Sequence, residues 1–240
     1  MGVDAHRMVL RGEALRRVQC GYYGLIEHLD SQLYWLLHEF EQASRRAGRE
    51  WMVVFTTDHG ELLGDHYLFR KCEPYEGSSR IPLLISGSRG LGFAGGRDSD
   101  VPVCLEDLEP TLLDAAGLPV PGDLDGRSLV PVRRGTGSID REYVHGEHAP
   151  CYDEEQAYQA LFGSRMKYVW RPATGTEELF DLTADPNELV NLAAVRPDVT
   201  AAWRRRLVER LAGRPEGFVH DGKLVPGRPY PSVLPFARGA

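Results

Sequence analysis

Cysteine is scarce in this chain and never closely spaced. Four occur in 240 residues, Cys20, Cys72, Cys104 and Cys151. The absence of any C-x-x-C pair excludes the usual zinc knuckle and the vicinal dithiol redox motif. Long apolar runs are missing too: none approaches the roughly 18 residues of a membrane-spanning helix. The opening residues, MGVDAHRMVLRGEALRR, contain no apolar core of a secretory signal. Position 6 is His6 rather than Ser or Thr, so Met1-Gly2 does not form a myristoylation motif. The expectation is therefore a cytoplasmic location with reduced thiols and no membrane partner. Basic excess is lacking as well. The net charge is −7 and the pI about 5.6, which argues against a nucleic-acid surface. No internal repeat is visible. What remains is an ordinary globular composition, 42% hydrophobic and 26% charged, of a length that suits one large domain or a domain with a small appendage.

Against that plain background one stretch stands out, residues 51–86. It begins with Trp51-Met52-Val53-Val54-Phe55, a solidly apolar run that reads as a strand buried on both faces. The run leads into Thr56-Thr57-Asp58-His59-Gly60. Ligands of open α/β sheets bind beyond the carboxyl ends of strands, which is where Asp58 and His59 fall, and Gly60 is expected to let the backbone turn sharply. A second apolar run follows at residues 81–86. Between the two lie Glu61, Asp65, His66, Arg70, Lys71 and Glu76. Each has a bland reading alone: an N-cap aspartate, a loop histidine, a solvated lysine. So many ionisable side chains between two core strands nevertheless read as a site.

The rest of the chain supplies a scaffold. Apolar residues at Leu15, Val18, Tyr22, Leu25, Ile26, Leu29, Leu33, Leu36, Leu37 and Phe40 keep a three-and-four spacing, which predicts one helix over residues 11–47. Gly48 caps it, and its apolar face is expected to lie against a core. Residues 87–100 are glycine-rich loop. Residues 106–117 read as a helix with Asp107 as N-cap, Pro110 in the first turn and Gly117 as the stop. Gly135-Thr136-Gly137-Ser138 marks a boundary. Short strands are expected at residues 143–145, 158–162, 166–170 and 178–181, forming an antiparallel meander. A last helix is expected over residues 198–212, with Val199, Ala202, Trp203, Leu207 and Leu211 on its apolar side. The tail from Gly213 reads as coil.

In order, the chain carries Thr57-Asp58-His59-Gly60, Gly64-Asp65-His66, Lys71, Pro74-Tyr75-Glu76 and Arg80-Ile81-Pro82-Leu83. This run resembles the sulfatase family. Further along, Pro110-Thr111-Leu112-Leu113, Ala116-Gly117-Leu118-Pro119 and Leu124-Asp125-Gly126-Arg127-Ser128-Leu129 follow the same order. So do Lys167-Tyr168-Val169-Trp170, Glu178-Leu179-Phe180-Asp181-Leu182 and Arg214-Pro215-Glu216-Gly217-Phe218.

The resemblance implies an α/β fold: part of an alkaline-phosphatase-like sulfatase domain over residues 1–134, then a small antiparallel sheet plus helix subdomain and tail over residues 135–240. It implies hydrolysis of a small-molecule sulfate ester, with Asp58 and His59 as metal ligands and Lys71 as the cation that binds sulfate. His66 has a catalytic or supporting role, and Glu147 and His148 are candidate substrate contacts. The metal implied is Ca²⁺ first, with Mn²⁺ or Mg²⁺ as alternatives. Carboxylate oxygen suits Ca²⁺ and Mg²⁺, whereas imidazole suits Mn²⁺ better than Ca²⁺.

The family nucleophile is a formylglycine made from Cys or Ser in a Cys/Ser-x-Pro/Ala-x-Arg motif. No cysteine or serine of this sequence stands in that motif, so the resemblance is to the C-terminal half of a sulfatase. A missing N-terminal half or a self-association partner is then expected to cover open strand edges and apolar helix faces. Two other readings share the motifs: a phosphonate or phosphodiester hydrolase of the same superfamily, and a non-catalytic remnant that binds a partner.

Overall fold

The structure is a computed structural model that describes residues 8–151 and 153–228. Its first element, α1 (Gly12–Arg46), runs for 35 residues. Its helical spacing is the expected one. At its end Gly48 takes φ +62°, and the amides of Ala47, Gly48 and Arg49 bond back to carbonyls of the last turn. The predicted burial of its apolar face does not occur. No residue of α1 is buried; Leu25 is 70% and Trp35 63% exposed. The helix touches the rest of the chain near its start, where Gln19 donates to the Leu63 carbonyl, and near its end, where Phe40 meets Trp51 edge-on.

Strand β1 (Met52–Thr56) follows, then a single helical turn, α2 (Glu76–Ser79), and β2 (Leu83–Gly87). The two strands pair antiparallel, Met52 opposite Gly87 and Thr56 opposite Leu83. They form a two-stranded ribbon with no third strand among the described residues. The sequence expectation of a strand buried on both faces is corrected here. β1 is half-buried and Phe55 exposed, because no further strand among the described residues pairs with the ribbon.

Helix α3 (Leu108–Ala115) and the short α4 (Val130–Arg134) lie beyond. Asp107 stands at the N-cap position of α3, but its carboxylate does not cap that helix. It accepts instead from the amides of Cys104 and Arg127 and from both terminal guanidinium nitrogens of Arg141, at 2.6 and 2.8 Å. Asp107 is fully buried. Burial alone would raise its carboxyl, yet Arg141 and the two amides hold it below the usual range.

The best-packed part is the four-stranded antiparallel sheet of β3 (Tyr143–His148), β4 (Tyr158–Gly163), β5 (Met166–Trp170) and β6 (Glu177–Asp181), in that spatial order. It is the predicted meander. Helix α5 (Pro197–Leu211) covers one face. Tyr168, Trp170, Leu161 and Leu179 from the strands close there on Trp203, Leu207 and Leu211 from the helix. The tail does more than the predicted coil. Phe218 is buried against Trp170, and β7 (Val219–His220) pairs with β8 (Lys223–Leu224) in a small hairpin. A buried aromatic anchors the segment, which coil composition did not reveal. The tail beyond residue 228 lies outside the described residues.

Strand geometry sends alternate side chains to opposite faces. On β5, Tyr168 and Trp170 therefore point to α5, while Lys167 and Val169 point the other way. That second face carries the loop after β1.

Candidate functional site

The site begins where β1 ends. Gly60 does not need a left-handed backbone, contrary to the sharp turn expected of it. It is required for a different reason: a Cβ there would lie 2.2 Å from the Gly77 carbonyl oxygen. The Gly60 amide also donates to Ser78 O at 2.8 Å. The Asp58-His59-Gly60 segment is thus pressed against α2.

The next twelve residues make a strained loop. Leu63, His66, Tyr67, Arg70 and Cys72 all have φ between 49° and 81°, the region side chains ordinarily avoid. Each such residue costs of order 1–3 kcal/mol and persists only when its surroundings over-determine it. Here the determinants are visible. Leu62 and Leu68 are buried. Leu62 N donates to Arg70 O, and Gly64 N to Leu68 O. The Glu61 carboxylate accepts from the amides of Leu63 and Arg70. The loop delivers Lys71 back to the end of β1.

Three of the sequence-predicted residues meet there. Lys71 Nζ lies 2.7 Å from His59 Nε2, and Asp58 Oδ2 lies 3.4 Å from the same nitrogen. His59 Nδ1 is 2.8 Å from Gly60 O. An ammonium has protons to give and no acceptor, so His59 Nε2 accepts from Lys71 and Nδ1–H donates to Gly60. That tautomer turns the imidazole lone pair toward the open side, where Asp58 and Lys71 are exposed. A carbonyl partner on the other nitrogen is how metal-binding histidines are commonly oriented. As a complete metal centre, however, the described residues do not fit. Hard cations such as Ca²⁺ take six to eight oxygen ligands, and no group of three His, Cys, Asp or Glu able to hold a metal exists among the described residues. Asp58 and His59 are two donors on an open edge.

The remaining candidates are placed elsewhere. His66 stacks on Tyr75 with ring centroids 4.0 Å apart and sits 3.1 Å from the Asn187 carbonyl through Nε2. Its contacts join the loop to the C-terminal subdomain. Glu147 and His148, adjacent on β3, face opposite sides of the sheet. Glu147 lies on the α5 side, hydrogen-bonded to Gln159 and paired with Arg214 at 2.9 Å. Burial would raise its carboxyl, but Gln159 and Arg214 hold it low. His148 lies on the loop side, stacked on Tyr158. The period-two rule for strands contained this split.

Sequence reasoning missed the residues that seat the loop. Lys167, fully buried, pairs with both Glu76 and Glu188 at 2.7 Å and donates to Pro74 O at 2.8 Å. Burial pushes the Glu188 carboxyl up despite that ammonium, and its other oxygen accepts from the Glu76 amide. Arg171 binds Glu73 at 3.0 Å and Glu178 at 3.2 Å. Burial works against the guanidinium charge, but those two carboxylates win, and its affinity for the proton rises. The segment directly after Lys71 is therefore clamped to β5 by buried charge. The only sequence signal was a lysine alternating with apolar residues in a core strand.

Comparison with known proteins places these features in a known setting. Residues 64–213 match the family described as "N-sulphoglucosamine sulphohydrolase, C-terminal". An arylsulfatase of Clostridium perfringens is 34% identical in an alignment covering 96% of this chain and 48% of that protein. A protein solved in complex with its substrate, D-glucosamine-2-N,6-O-disulfate, matches at 25% identity and TM-score 0.69, over 84% of this chain and 43% of that one. The phosphonate monoester hydrolase of Agrobacterium radiobacter matches at 29% identity and TM-score 0.68, over 82% of this chain and 42% of that one. The chain thus spans about half the length of the proteins it matches.

Proposed function

The chain belongs to the sulfatase family, with a C-terminal portion of its alkaline-phosphatase-like fold, and on that premise we propose that it forms part of a sulfuric ester hydrolase. Residues 1–134 are its share of the catalytic α/β domain, and residues 135–240 the small C-terminal subdomain. The substrate is a small-molecule sulfate ester. Lys71 neutralises the sulfuryl oxygens as a compact point charge. Asp58 and His59 contribute two ligands to a divalent cation, Ca²⁺ before Mn²⁺ or Mg²⁺, completed by groups outside these 240 residues; His59 would bind it through Nε2, with Lys71 turned from that lone pair toward the sulfate. Such an ion, when bound, supplies charge neutralisation. The formylglycine nucleophile of the family likewise has no motif in this sequence. The exposed apolar face of α1 fits the surface that a complementing half, or a second copy, would cover.

One observation carries this reading: the contact of Lys71 with His59 at the end of β1, in a chain whose family match is to a sulfatase C-terminal domain. The phosphonate hydrolase reading is favoured by one finding, the 29% identity to such an enzyme.

The test is paired assays of a chromogenic sulfate ester and a phosphonate ester. They are run on the purified chain and on the chain co-expressed with the N-terminal half of the Clostridium perfringens arylsulfatase. The expected result is no turnover by the chain alone and sulfate ester turnover by the complemented form. Lys71→Ala should then lower that rate about 10²–10³-fold, as loss of one transition-state donor does. A robust rate from the purified chain, abolished by Asp58→Ala, overturns the incomplete site. Faster phosphonate than sulfate cleavage by the complemented form selects the second reading.

A further inference from the structure

Two of the four cysteines come together in space. Cys72 Sγ and Cys151 Sγ lie 3.7 Å apart although 79 positions separate them. Cys72 follows Lys71 directly and is buried; Cys151 follows β3 and is exposed. The backbone on both sides of Cys72 is held. Lys71 contacts His59, Glu73 pairs with Arg171 and hydrogen-bonds Gln156, and Cys72 itself is kept at φ +81°. The other two thiols are placed differently. Cys20 is exposed on α1, and Cys104 faces Asp107 and Arg141.

We propose that Cys72 and Cys151 are a disulfide-forming pair that cross-links the Lys71 loop to the C-terminal subdomain when a low-molecular-weight disulfide is the oxidant. The sulfurs must close by roughly 1.7 Å, from 3.7 Å to a bond length of about 2.0 Å.

Exposure sets the order of events. The Cys151 thiolate attacks one sulfur of the oxidant, whose S–S bond breaks. A mixed disulfide forms on Cys151, and the first small thiol leaves. Cys72 then gives up its proton and attacks Cys151 Sγ, and the second small thiol leaves. Two protein thiols are oxidised, one small disulfide is reduced to two small thiols, and the two protons end on those thiols. Burial, with Cys151 alongside, pushes the Cys72 thiol up to about 11. It is therefore a poor first nucleophile and acts as the resolving thiol at the high local concentration that 3.7 Å provides.

The folded chain is treated with oxidised glutathione, freed of it, blocked with N-ethylmaleimide in urea, digested with trypsin without reduction and weighed. Trypsin places Cys72 in residues 72–80 and Cys151 in residues 142–165. The expected product joins these two peptides, exceeds any other cysteine pair about tenfold or more, and disappears with dithiothreitol. With Cys151→Ser, an exposed position, Cys72 should carry no glutathione and should be alkylated only after unfolding in urea. Glutathione on Cys151 with Cys72 still alkylated as a free thiol overturns the proposal. So does a cross-link to Cys20 or Cys104 in comparable yield, or glutathione on Cys72 of the Cys151→Ser variant. None of these readings depends on sulfatase turnover.

Discussion

The chain's two ends treat the same kind of residue in opposite ways. In α1, large apolar side chains at helical spacing are all left partly or wholly exposed. In α5, less than half as long, Trp203, Leu207 and Leu211 are buried against a four-stranded sheet. Both helices are amphipathic by sequence. The difference is what stands opposite: α5 has the inner faces of β4, β5 and β6, whereas no residue of α1 is buried against the described residues. Amphipathicity states that a helix needs a partner, not that the partner is in the same chain. The candidate site sits between these regions, its strand end on the open side and its loop fastened by buried charge to the closed one.

The largest expected effect comes from breaking the fastening. Lys167→Met strands Glu76 and Glu188 next to an apolar chain, and loss of one partner from a buried ion cluster costs about 3–5 kcal/mol. Urea denaturation should show it. A change under about 1 kcal/mol would mean that the two carboxylates find other partners. Trp203→Ala should be comparable, about 3–5 kcal/mol, because it empties the core under the sheet. Its counterpart on the open side, Trp35→Ala, should stay within about 0.5 kcal/mol. If Trp35→Ala costs as much as Trp203→Ala, α1 is covered in solution and the contrast fails. A mass measurement by light scattering would then identify a second copy.

Gly60→Ala is expected to be intermediate, about 1–3 kcal/mol, since the new methyl must displace the Gly77 backbone. Amide exchange should quicken in residues 60–78 and stay unchanged in β3 to β6; uniform acceleration would contradict a local effect.

The smallest effect is with pH. His145 is held below its ordinary value of 6.5 mainly by burial, with Gln159 and Glu147 opposing and Arg210 and Arg214 assisting. Below pH 6.5 the unfolded chain then binds the proton more readily than the folded one. Stability contributed by neutral His145 is complete above that pH and declines as pH falls below it. His145→Gln should flatten the melting temperature between pH 7 and 5.5. An unchanged slope would show that another group governs that range.

Much of the local structure was legible. The three-and-four spacing gave α1 and α5 to within a residue or two. The short runs at residues 143–145, 158–162, 166–170 and 178–181 marked the meander. The Asp58-His59 segment and Lys71 were singled out together, and the structure brings them together. Less legible was why each residue is needed. Gly60 serves a close approach rather than a turn, and Asp107 is a buried hub for Arg141 rather than a helix cap. Glu147 and His148, paired as one motif, part to opposite faces of β3. The clamp of Lys167, Arg171, Glu73 and Glu188 was not seen at all. Its members are far apart in sequence, and no local periodicity reports a partner at that range.

The sequence by itself determined the elements and the chemical inventory at the end of β1, because helix, strand and turn preferences act over a few residues. Only the tertiary structure decided which apolar faces are closed, which histidine nitrogen faces Lys71, and which two of four thiols lie side by side. Those outcomes depend on contacts between residues 12 to more than 100 positions apart, and such contacts exist only once the sheet has set the distances.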